Sequence, residues 1–471
     1  MIKFGTDGWR EIIGRDFTFE NVERVAQAYA DLMTSPVGVQ NFEPLHAIPL
    51  GFDRRFLSDE FAKTVACVLA GNELSVLLSQ DYCPTPCISW TTKSRKAPGG
   101  VVITASHNPF QWNGIKFKES YGGSASPAFT QQIEERIEKN EKREIKKLSF
   151  EEGVKQQLIQ FFDPTKEYVQ QLRSFVDLKQ ILKANLKIAY DPLYGAGAGY
   201  LAKVLEQPLH EIHGEANPGF GGLHPEPIEK NLSALMNLVR QECFDVGLAT
   251  DGDADRIGAV DEAGNFVTPQ QIYVLLLSHL IEKGNRGDIV KTVSTTHMID
   301  RIAAKHGLKV HETPIGFKHI CSKFLEIEPL MGGEESGGIG IPSHVYERDG
   351  LLAGLLLLEI MALKKKGLKA LLQDLTQEFG SFVFKREDVP LTTADSSRLR
   401  ETMGRLNPST VGSYRVRQTN RLDGVKLVFD EGWLLFRLSG TEPLIRLYAE
   451  AKEPALVNSL LQEAKNLLEL S

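Results

Sequence analysis

Residues 101–118, VVITASHNPFQWNGIKFK, include the stretch TASHNP at 104–109. The apolar run VVIT predicts a buried strand, and the small polar residues after it predict a turn that places Ser106 at the carboxyl end of that strand, the edge at which α/β proteins gather their active sites. Ser106 and His107 are adjacent, which disfavours a hydrogen-bonded Ser–His pair, and no G-x-S-x-G elbow surrounds the serine, so a hydrolase triad is not predicted. Taken alone, the hexapeptide also fits an ordinary polar turn before Pro109.

Outward from this stretch, short apolar runs bounded by turn residues alternate with longer helical patterns, which indicates α/β architecture. The predicted strands lie within residues 46–53, 74–79, 99–106, 186–195, 245–253 and 287–294. The predicted helices lie within residues 19–33, 61–71, 127–142 and 269–284, with a further apolar helix within 351–367.

The length of 471 residues exceeds what one hydrophobic core usually organises, so several domains are expected. A Lys/Glu-rich stretch, EKNEKREIKKLSFEE, predicts the exit from a first domain near residue 150. The pattern changes again at GSFVFKREDVPL, after which short β-like segments precede a terminal amphipathic helix. We predict three related α/β domains and a smaller C-terminal α+β domain, with the boundaries 1–150, 151–262, 263–380 and 381–471.

Composition excludes several classes of protein. The hydrophobic fraction of 42% and the charged fraction of 24% are those of a globular protein, and a net charge of −7 gives no support for nucleic-acid binding. The most apolar run, LLAGLLLLEIMALKKK, is interrupted by Glu359 and is too short to span a bilayer, and the charged N-terminal stretch has no apolar signal-peptide core. Five scattered cysteines, an odd number, indicate reduced thiols. These features predict a cytoplasmic protein that does not bind membranes.

The stretch DGDADR at 251–256 carries three alternating carboxylates, Asp251, Asp253 and Asp255. Carboxylates held this close repel one another unless a cation lies among them, and hard oxygen ligands suit Mg²⁺ or Ca²⁺. An EF-hand loop does not fit, because Arg256 stands where the sharp turn requires glycine and a strand-like segment precedes the loop. We predict a Mg²⁺ site; a solvated acidic turn is the alternative for this motif alone.

Three further stretches have ligand-binding chemistry. GGEESGG at 332–338 combines glycines with acceptors suited to sugar hydroxyls, although a flexible surface loop is an equal alternative for that motif alone. RLSGTEPLIR at 437–446 combines two arginines, two hydroxyls and a glycine, which favours binding of a dianionic phosphate over a structural turn. TPIGFK at 313–318 adds a lysine beside a glycine turn, which alone is a weak indication.

In this order, FGTDGWR, TASHNP with NGIK, DGDADR, TPIGFK, GGEESGG and RLSGTEPLIR resemble the motifs of the α-D-phosphohexomutase family, which includes phosphoglucomutases and phosphomannomutases. The resemblance covers the whole chain. It implies four domains around one central cleft, to which each domain contributes a loop.

The resemblance also implies residue roles. Ser106 would carry a phosphoryl group and, with the three aspartates, would hold one Mg²⁺. Arg10, Lys116 and Arg256 would neutralise charge during transfer, and Lys116 and Lys291 are the best candidates for acid or base, since a buried lysine near other cations can have a depressed pKa. Gly338 and Phe317 occupy positions where some relatives have a histidine, which removes two other candidates. The residues expected to hold the sugar and its second phosphate are Lys318, Glu334, Ser336, Arg437, Ser439, Gly440, Thr441 and Arg446.

The activity implied is interconversion of hexose 1-phosphate and hexose 6-phosphate through a bound 1,6-bisphosphate, with Mg²⁺ and glucose 1,6-bisphosphate as cofactors, in a monomer or homodimer. GEES and GFK look more like the glucose-directed members than the glucosamine branch, so glucose phosphates are expected. A phosphomannomutase or dual-specificity mutase is the near alternative. A glucose 1,6-bisphosphate synthase, a sugar phosphatase and a catalytically silent phosphosugar-binding protein are further alternatives.

Overall fold

The structure is a computed structural model that describes residues 2–35, 47–140, 143–439 and 443–469. Within these residues the strands form four larger sheets and one two-stranded ribbon. Three sheets are mixed α/β layers and the last is antiparallel, which confirms the predicted fold class. The exact domain boundaries stay a prediction.

The first sheet has the strand order β1-β5-β4-β2-β3-β6. Its strands are β1 (Trp9–Ile12), β2 (Ile48–Phe52), β3 (Val76–Ser79), β4 (Gly99–Ile103), β5 (Trp112–Glu119) and β6 (Ile159–Phe162). The helices packed with it are α1 (Phe19–Met33), α2 (Ser58–Gly71), α3 (Thr85–Ser94), α4 (Pro127–Lys139) and α5 (Phe150–Lys155). β4 runs parallel to β2 and antiparallel to β5, so the loop between β4 and β5 carries Ser106 at the carboxyl end of a buried strand.

The second sheet has the order β11-β10-β9-β7-β8. Its strands are β7 (Ile188–Asp191), β8 (His210–Glu211), β9 (Val246–Thr250), β10 (Ile257–Val260) and β11 (Phe266–Val267). Its helices are α6 (Thr165–Phe175), α7 (Leu178–Ala184), α8 (Tyr200–Leu205) and α9 (Ser233–Glu242), with 3₁₀ turns at Phe220–Gly222 and Glu229–Asn231. The turn between β9 and β10 is DGDADR, so a tight antiparallel hairpin presents the three aspartates.

The third sheet has the order β13-β12-β14-β15. Its strands are β12 (Asp288–Thr292), β13 (Val310–Thr313), β14 (Pro329–Gly333) and β15 (Ile339–Gly340). Its helices are α10 (Pro269–Glu282), α11 (Met298–Lys305), α12 (Phe317–Phe324), α13 (Gly350–Lys364) and α14 (Leu368–Phe379). α13, the predicted apolar helix, is buried along most of its length and is capped by Asp349, whose side chain accepts from the backbone N–H of Leu352.

The fourth sheet has the order β16-β22-β21-β20-β19, beside the ribbon β17-β18. Its strands are β16 (Val383–Pro390), β19 (Gln418–Asn420), β20 (Val425–Val428), β21 (Gly432–Leu438) and β22 (Leu444–Ala451). The ribbon strands are β17 (Thr410–Val411) and β18 (Tyr414–Arg415), and the helices of this region are α15 (Thr393–Arg405) and α16 (Pro454–Leu467). This region has its own apolar core, whereas one continuous core joins the second and third sheets and reaches α3 of the first. The second and third regions therefore share one core, whereas the first and fourth regions each have a main core of their own.

None of the helices in the described ranges combines the length and apolar character needed to cross a membrane.

Candidate active site

Ser106 lies in a turn that buried polar contacts hold in place. Its φ of 53° is left-handed, a conformation that costs energy for a residue with a side chain and persists only where neighbours fix it. The backbone N–H of Ser106 donates to Thr104 Oγ1 (2.8 Å), and Arg55 donates to the carbonyls of Ser106 and Asn108 (2.7 Å each). Asp53 pairs with Arg55 behind the turn at 3.1 Å. The serine hydroxyl is thus presented from a rigid turn.

The hydroxyl of Ser106 donates to Asp251 Oδ2 at 2.8 Å, which joins the serine turn to the aspartate hairpin. His107 Nδ1 lies 3.3 Å from the same Oγ. Adjacency in the sequence was expected to disfavour a hydrogen bond between Ser106 and His107, and this contact corrects that expectation. Burial, reinforced by the nearby Arg256 and Arg10, lowers the pKa of His107 well below its usual value. His107 is therefore a neutral imidazole beside the serine at ordinary pH.

The three aspartates form a compact acidic group. One carboxylate oxygen from each of Asp251, Asp253 and Asp255 lies within 4.8 Å of the others, and all three residues are buried. Burial, with repulsion from Asp255 and Asp253, raises the pKa of Asp251 well above its usual value. Asp253 Oδ1 and Asp255 Oδ1 are buried with no hydrogen-bond partner in the part of the chain that the structure describes. Unsatisfied, converging carboxylate oxygens suit a hard divalent cation such as Mg²⁺.

Lys116 neutralises this group from strand β5. Its Nζ lies 2.7 Å from Asp7 Oδ2, 2.8 Å from Asp253 Oδ2 and 2.9 Å from Asp255 Oδ2. Burial alone would lower the pKa of Lys116, but Asp253, Asp255 and Asp7 outweigh it and raise that pKa above its usual value. The expectation of a depressed pKa is therefore wrong, because the neighbours of this lysine are mainly carboxylates.

Arg10 and Arg256 flank the same group. Arg10 Nη1 donates to Asn108 Oδ1 at 2.9 Å, next to the serine turn. The backbone N–H of Arg256 donates to Asp251 Oδ1 at 3.1 Å, and its Nη1 lies 3.3 Å from Glu226 Oε1. Arg256 Nε is buried without a hydrogen-bond partner among the described residues. Both guanidinium groups lie close enough to His107, next to Ser106, to lower its pKa.

The GGEESGG stretch begins with the last two residues of β14, and Glu334 in the loop after that strand shares Arg348 with Asp255. Glu334 Oε1 accepts from the backbone N–H of Gly316 at 3.0 Å, which joins this loop to TPIGFK. Burial raises the pKa of Glu334 to about 7, although the nearby Arg348 opposes that effect. Ser336 is half-buried at the tip of the loop, and Lys318 Nζ donates to the carbonyl of Gly5 at 3.0 Å. Of the predicted sugar contacts, Lys318 therefore meets the first-domain loop that precedes Arg10.

Lys291 lies in a different ionic group. Its Nζ donates to Asp300 and to the carbonyl of Thr296 (3.2 Å) and lies 3.6 Å from Glu312. Lys426 of the fourth sheet shares Glu312 at 2.8 Å. These partners lie where the third and fourth sheets meet, so the structure does not bring Lys291 into the Ser106 group.

The predicted phosphate-binding residues lie on two paired strands of the fourth sheet. Arg437 on β21 is directly opposite Arg446 on β22, and the backbone N–H of Ser439 donates to the carbonyl of Leu444 at 3.0 Å. Arg437 Nε pairs with Asp423 at 2.9 Å, and Arg446 Nε lies 3.8 Å from Asp388. Gly440 and Thr441 lie outside the described residues. Two adjacent cations therefore face one side of the sheet.

Sequence reasoning did not identify three residues that contact the aspartates or their partner Lys116. Asp7, within the quoted motif GTDGWR, pairs with Lys116; Thr85 Oγ1 donates to Asp253 Oδ2 at 2.5 Å; and Arg348 Nη2 lies 2.7 Å from Asp255 Oδ2. Thr85 lies in CPTPC and begins α3, and the local pattern there carries no signal for such a contact. The charged triplet ERD before the apolar helix was the available signal for Arg348, since charges at the start of a buried helix require partners.

Models of one protein family match this chain in four consecutive segments. Models of phosphoglucomutase/phosphomannomutase α/β/α domains I, II and III match residues 1–144, 166–264 and 268–379, and the model of the C-terminal domain matches residues 398–467. A phosphoglucomutase/phosphomannomutase of Thermococcus kodakarensis is 31% identical over 99% of this chain and 98% of the relative. A phosphoglucosamine/phosphogalactosamine mutase of Sulfurisphaera tokodaii is 31% identical over 99% of both.

A solved structure from Thermus thermophilus, described as a candidate phosphomannomutase, superposes with a TM-score of 0.84. It is 34% identical and the match covers 99% of each chain. The likeness therefore extends over all four regions of the molecule.

Proposed function

The chain belongs to the phosphoglucomutase/phosphomannomutase family of phosphotransferase isomerases, and from its site we propose that it interconverts hexose 1-phosphate and hexose 6-phosphate, with glucose phosphates preferred. The observation that carries the proposal is the 2.8 Å contact between Ser106 Oγ and Asp251 inside a group of three buried aspartates. This contact supports the proposal that the Ser106 hydroxyl takes part in phosphoryl transfer beside a site suited to a cation.

We propose that Ser106 is phosphorylated in the active enzyme. In the first transfer the bond between phosphorus and Ser106 Oγ breaks and a bond from phosphorus to a hexose hydroxyl oxygen forms. In the net balance, the proton of that hydroxyl replaces the phosphoryl group on Ser106 Oγ. The product is a bound hexose 1,6-bisphosphate. The second transfer runs in the opposite sense from the other phosphate, which restores phosphoserine and releases the isomer. Mg²⁺ held by Asp251, Asp253, Asp255 and the phosphoserine would supply charge neutralisation at the transferring group.

Three cations of this chain would complete that neutralisation. Arg10 and Arg256 flank the serine and are assigned to the transferring phosphoryl oxygens, where positioned positive charge favours transfer. The raised pKa of Lys116 supports a role as a permanent cation that orders the aspartates, in place of the predicted base. For Lys291, its separate ionic group gives no support to a role as acid or base at Ser106.

We assign the opposite side of the cleft to the rest of the substrate. Glu334 and Ser336 would accept and donate hydrogen bonds to sugar hydroxyls in either orientation, and Lys318 would help to hold the substrate. Arg437, Ser439 and Arg446 would hold the phosphate that is not being transferred, since paired guanidinium groups match a dianionic phosphate. Gly440 and Thr441 are assigned to the same phosphate from the sequence alone.

The preference for glucose rests on GEES and GFK in the sugar loops. Relatives of similar identity are named for glucose, mannose, glucosamine and galactosamine phosphates, and one epimeric hydroxyl gives only modest discrimination. We also propose glucose 1,6-bisphosphate as the activator and intermediate, and a cytoplasmic location, which the five free cysteines support. The monomeric or homodimeric state stays a prediction.

The test is ³¹P NMR of the purified protein with Mg²⁺, glucose 1-phosphate and a trace of glucose 1,6-bisphosphate. We expect glucose 6-phosphate to form without free phosphate, and slower conversion of mannose and glucosamine phosphates. Ser106→Ala is expected to lose about a thousandfold or more of the rate. Ser79→Ala is the matched control, because Ser79 is a buried serine at the end of a strand in the same sheet, donating to the carbonyl of Asp81 at 2.6 Å.

Each other outcome identifies an alternative. Steady release of phosphate would indicate a phosphatase, and accumulating bisphosphate would indicate a synthase. Preferred conversion of another hexose phosphate would overturn the glucose assignment only. A protein that converts none of them and carries no phosphate on Ser106 would be a binding protein.

A further inference from the structure

Arg348 is a buried arginine in the loop before α13, and its guanidinium contacts loops from three sheets. Nη2 lies 2.7 Å from Asp255 Oδ2 in the aspartate hairpin and also pairs with Asp7 of the first domain. Nη1 lies 3.5 Å from Glu334 Oε2 in the proposed sugar loop. One side chain therefore touches both the proposed metal site and the proposed sugar site.

The contact with Asp255 is selective for one of its two oxygens. Arg348 and Lys116 both hold Oδ2 of Asp255, whereas Oδ1 of that carboxylate is buried without a hydrogen-bond partner within the described ranges. A carboxylate with one oxygen fixed by cations presents the other in a defined direction, and such outer contacts tune metal affinity. Arg348 thus helps to set where the free oxygen of Asp255 points.

The sugar loop is shaped to leave space for Arg348. A Cβ atom at Gly338 would lie 2.4 Å from Arg348 Cδ, closer than real Cβ contacts allow, so a larger residue there would displace the arginine. On the other side, the ring of Phe317 lies 5.2 Å from the guanidinium carbon, within cation–π range. Gly338 and Phe317 together fix the position of this side chain.

The two loops are also joined through their backbones. Arg256 forms a β-bridge with Gly338, and the N–H of Ile257 donates to the carbonyl of Gly337 at 3.1 Å. The N–H of Gly350 donates to the carbonyl of Ala254 at 3.1 Å. The aspartate hairpin and the sugar loop are therefore in direct contact, so a displacement of one loop moves the backbone of the other.

We propose that Arg348 is a positioning residue that makes divalent-metal binding and hexose-phosphate binding mutually dependent, by holding Asp255 and Glu334 through one guanidinium. This rests on the proposed function, since it takes Glu334 as a sugar contact. A hydroxyl bound at Glu334 changes the contact that Arg348 makes there, and the arginine passes the change to Asp255. By linkage, the metal must then change sugar affinity by the same factor.

The experiment measures Mn²⁺ binding to the full chain by electron paramagnetic resonance, with and without saturating glucose 6-phosphate. For the unmodified protein we expect the sugar phosphate to tighten Mn²⁺ binding by about fivefold or more. For Arg348→Met we expect Mn²⁺ binding without sugar to weaken by about tenfold or more, and the effect of the sugar to disappear. Lys116 still pairs with Asp7 and Asp255 in this variant, so neither carboxylate is left unpaired.

Two further variants separate positioning from folding. Gly338→Ala retains the guanidinium but displaces it, so we expect the same loss of coupling, and it also serves if Arg348→Met does not fold. Arg348→Lys keeps the positive charge but lacks the planar guanidinium that contacts two carboxylates at once. We expect it to bind Mn²⁺ more tightly than Arg348→Met does but to show no coupling between sugar and metal. Glu359→Gln is the control: it weakens a buried group with His279 and Lys283 about 16 Å further along α13, and should leave both Mn²⁺ values unchanged.

Failure of this inference can be distinguished from failure of the proposed function. If the unmodified protein converts hexose phosphates but its Mn²⁺ affinity does not respond to the sugar, or if Arg348→Met keeps the full response, the inference is overturned and the mutase assignment stands. If no hexose phosphate is converted, the mutase assignment fails. The Mn²⁺ titration without sugar then still decides whether Arg348 positions Asp255, since an unchanged affinity in Arg348→Met overturns that contact's role.

Discussion

The two ends of the proposed substrate cleft, the serine end around Ser106 and the phosphate end around Arg437 and Arg446, are built differently. At the serine end, the side chains of Lys116, Asp253 and Asp255 are 0% exposed, and Lys116 pairs with both carboxylates at 2.8–2.9 Å. At the phosphate end, the side chains of Arg437 and Arg446 are 14% and 20% exposed, and each faces a partly exposed aspartate. The serine end is a closed ionic group, and the phosphate end is an open one.

This difference separates the two tasks of the proposed reaction. A buried charge that loses its partner costs several kcal/mol, so the groups at the serine end have to stay paired throughout and are suited to fixed positioning. A partly exposed arginine exchanges an aspartate for a phosphate at small cost, because water screens both pairs. The chemistry is assigned to the end that cannot rearrange, and substrate entry to the end that can.

Removing charge at the closed end should have the largest effect. Asp253→Asn keeps the shape but weakens Oδ1, the unsatisfied oxygen assigned to Mg²⁺, so we expect turnover to fall by about a hundredfold or more and Mn²⁺ affinity to fall with it. ³¹P NMR rates and Mn²⁺ titration measure the two. Asp261→Asn is the control, since this buried aspartate fixes the turn after β10 through backbone N–H groups at 2.8–3.0 Å. An unaltered metal titration in Asp253→Asn would remove this residue from the ligand set.

At the open end the expected effect is on binding. Arg437→Ala should raise KM by about 10- to 100-fold while kcat changes little, as expected for a lost charge-assisted contact to the phosphate that does not react. Steady-state kinetics with glucose 1-phosphate measures it. Arg417→Ala is the control: Arg417 pairs with Asp430 near the same sheet and is 49% exposed. A defect confined to kcat would contradict the assignment and would place Arg437 in the chemical step.

Glu334 differs from the residues at both ends. It is buried, as the residues at the serine end are, but its pKa of about 7 means that its charge changes near neutral pH. Burial raises the pKa of Glu334, and the negative charge of Glu335 raises it further, whereas the positive charges of Arg348 and Arg256 lower it. Accepting a sugar hydroxyl requires the carboxylate, so we expect KM to rise as pH falls below about 7, approaching tenfold per unit. The pKa of Glu334 is higher in the folded protein than in the unfolded chain, so the folded protein holds this proton more tightly. The stability that the protonated acid contributes is therefore lost as pH rises through about 7.

The measurement is KM against pH for the unmodified protein and for Glu334→Gln. The substrate phosphate titrates in the same range in both proteins, so the difference between the two profiles isolates Glu334. Glu334→Gln should remove the additional slope below about pH 7. Two superimposable profiles would show that Glu334 does not contact the sugar as a carboxylate.

The sequence predicted the parts of this site that local pattern determines. The apolar run 101–104 predicted the strand before Ser106, and the spacing of the aspartates predicted converging carboxylates, which the hairpin between β9 and β10 forms. Helix α1 has the predicted bounds, since its apolar spacing and the cap at Thr18 are both local. Where a periodic pattern and a cap agree, little else is needed to define an element.

Contacts between distant residues were not predictable in the same way. Lys116 meets Asp253 from 137 positions away, and that contact reverses the expected direction of its pKa shift. Arg348 and Thr85 contact the aspartates only because three sheets converge. Lys291 lies near the carboxyl end of strand β12, as a catalytic residue would, yet its neighbours on α11 and β13 place it in another ionic group. Local pattern places a side chain on an element, but its partners depend on the tertiary arrangement.

The smallest expected effect concerns Asp423 at the phosphate end. It tests whether a substrate phosphate can replace this carboxylate as the partner of Arg437. Asp423 Oδ2 accepts from Arg437 Nε and from the backbone N–H of Ile315 in TPIGFK, both at 2.9 Å. A phosphate arriving at Arg437 competes with this carboxylate. Asp423→Asn keeps an oxygen for Ile315 but removes the competing charge, so we expect KM to fall by about two- to fivefold with kcat unchanged. The control is Asp430→Asn, which removes the same charge from the exposed pair with Arg417. A rise in KM would mean that Asp423 holds Arg437 in its binding position, and the phosphate end would then be as fixed as the serine end.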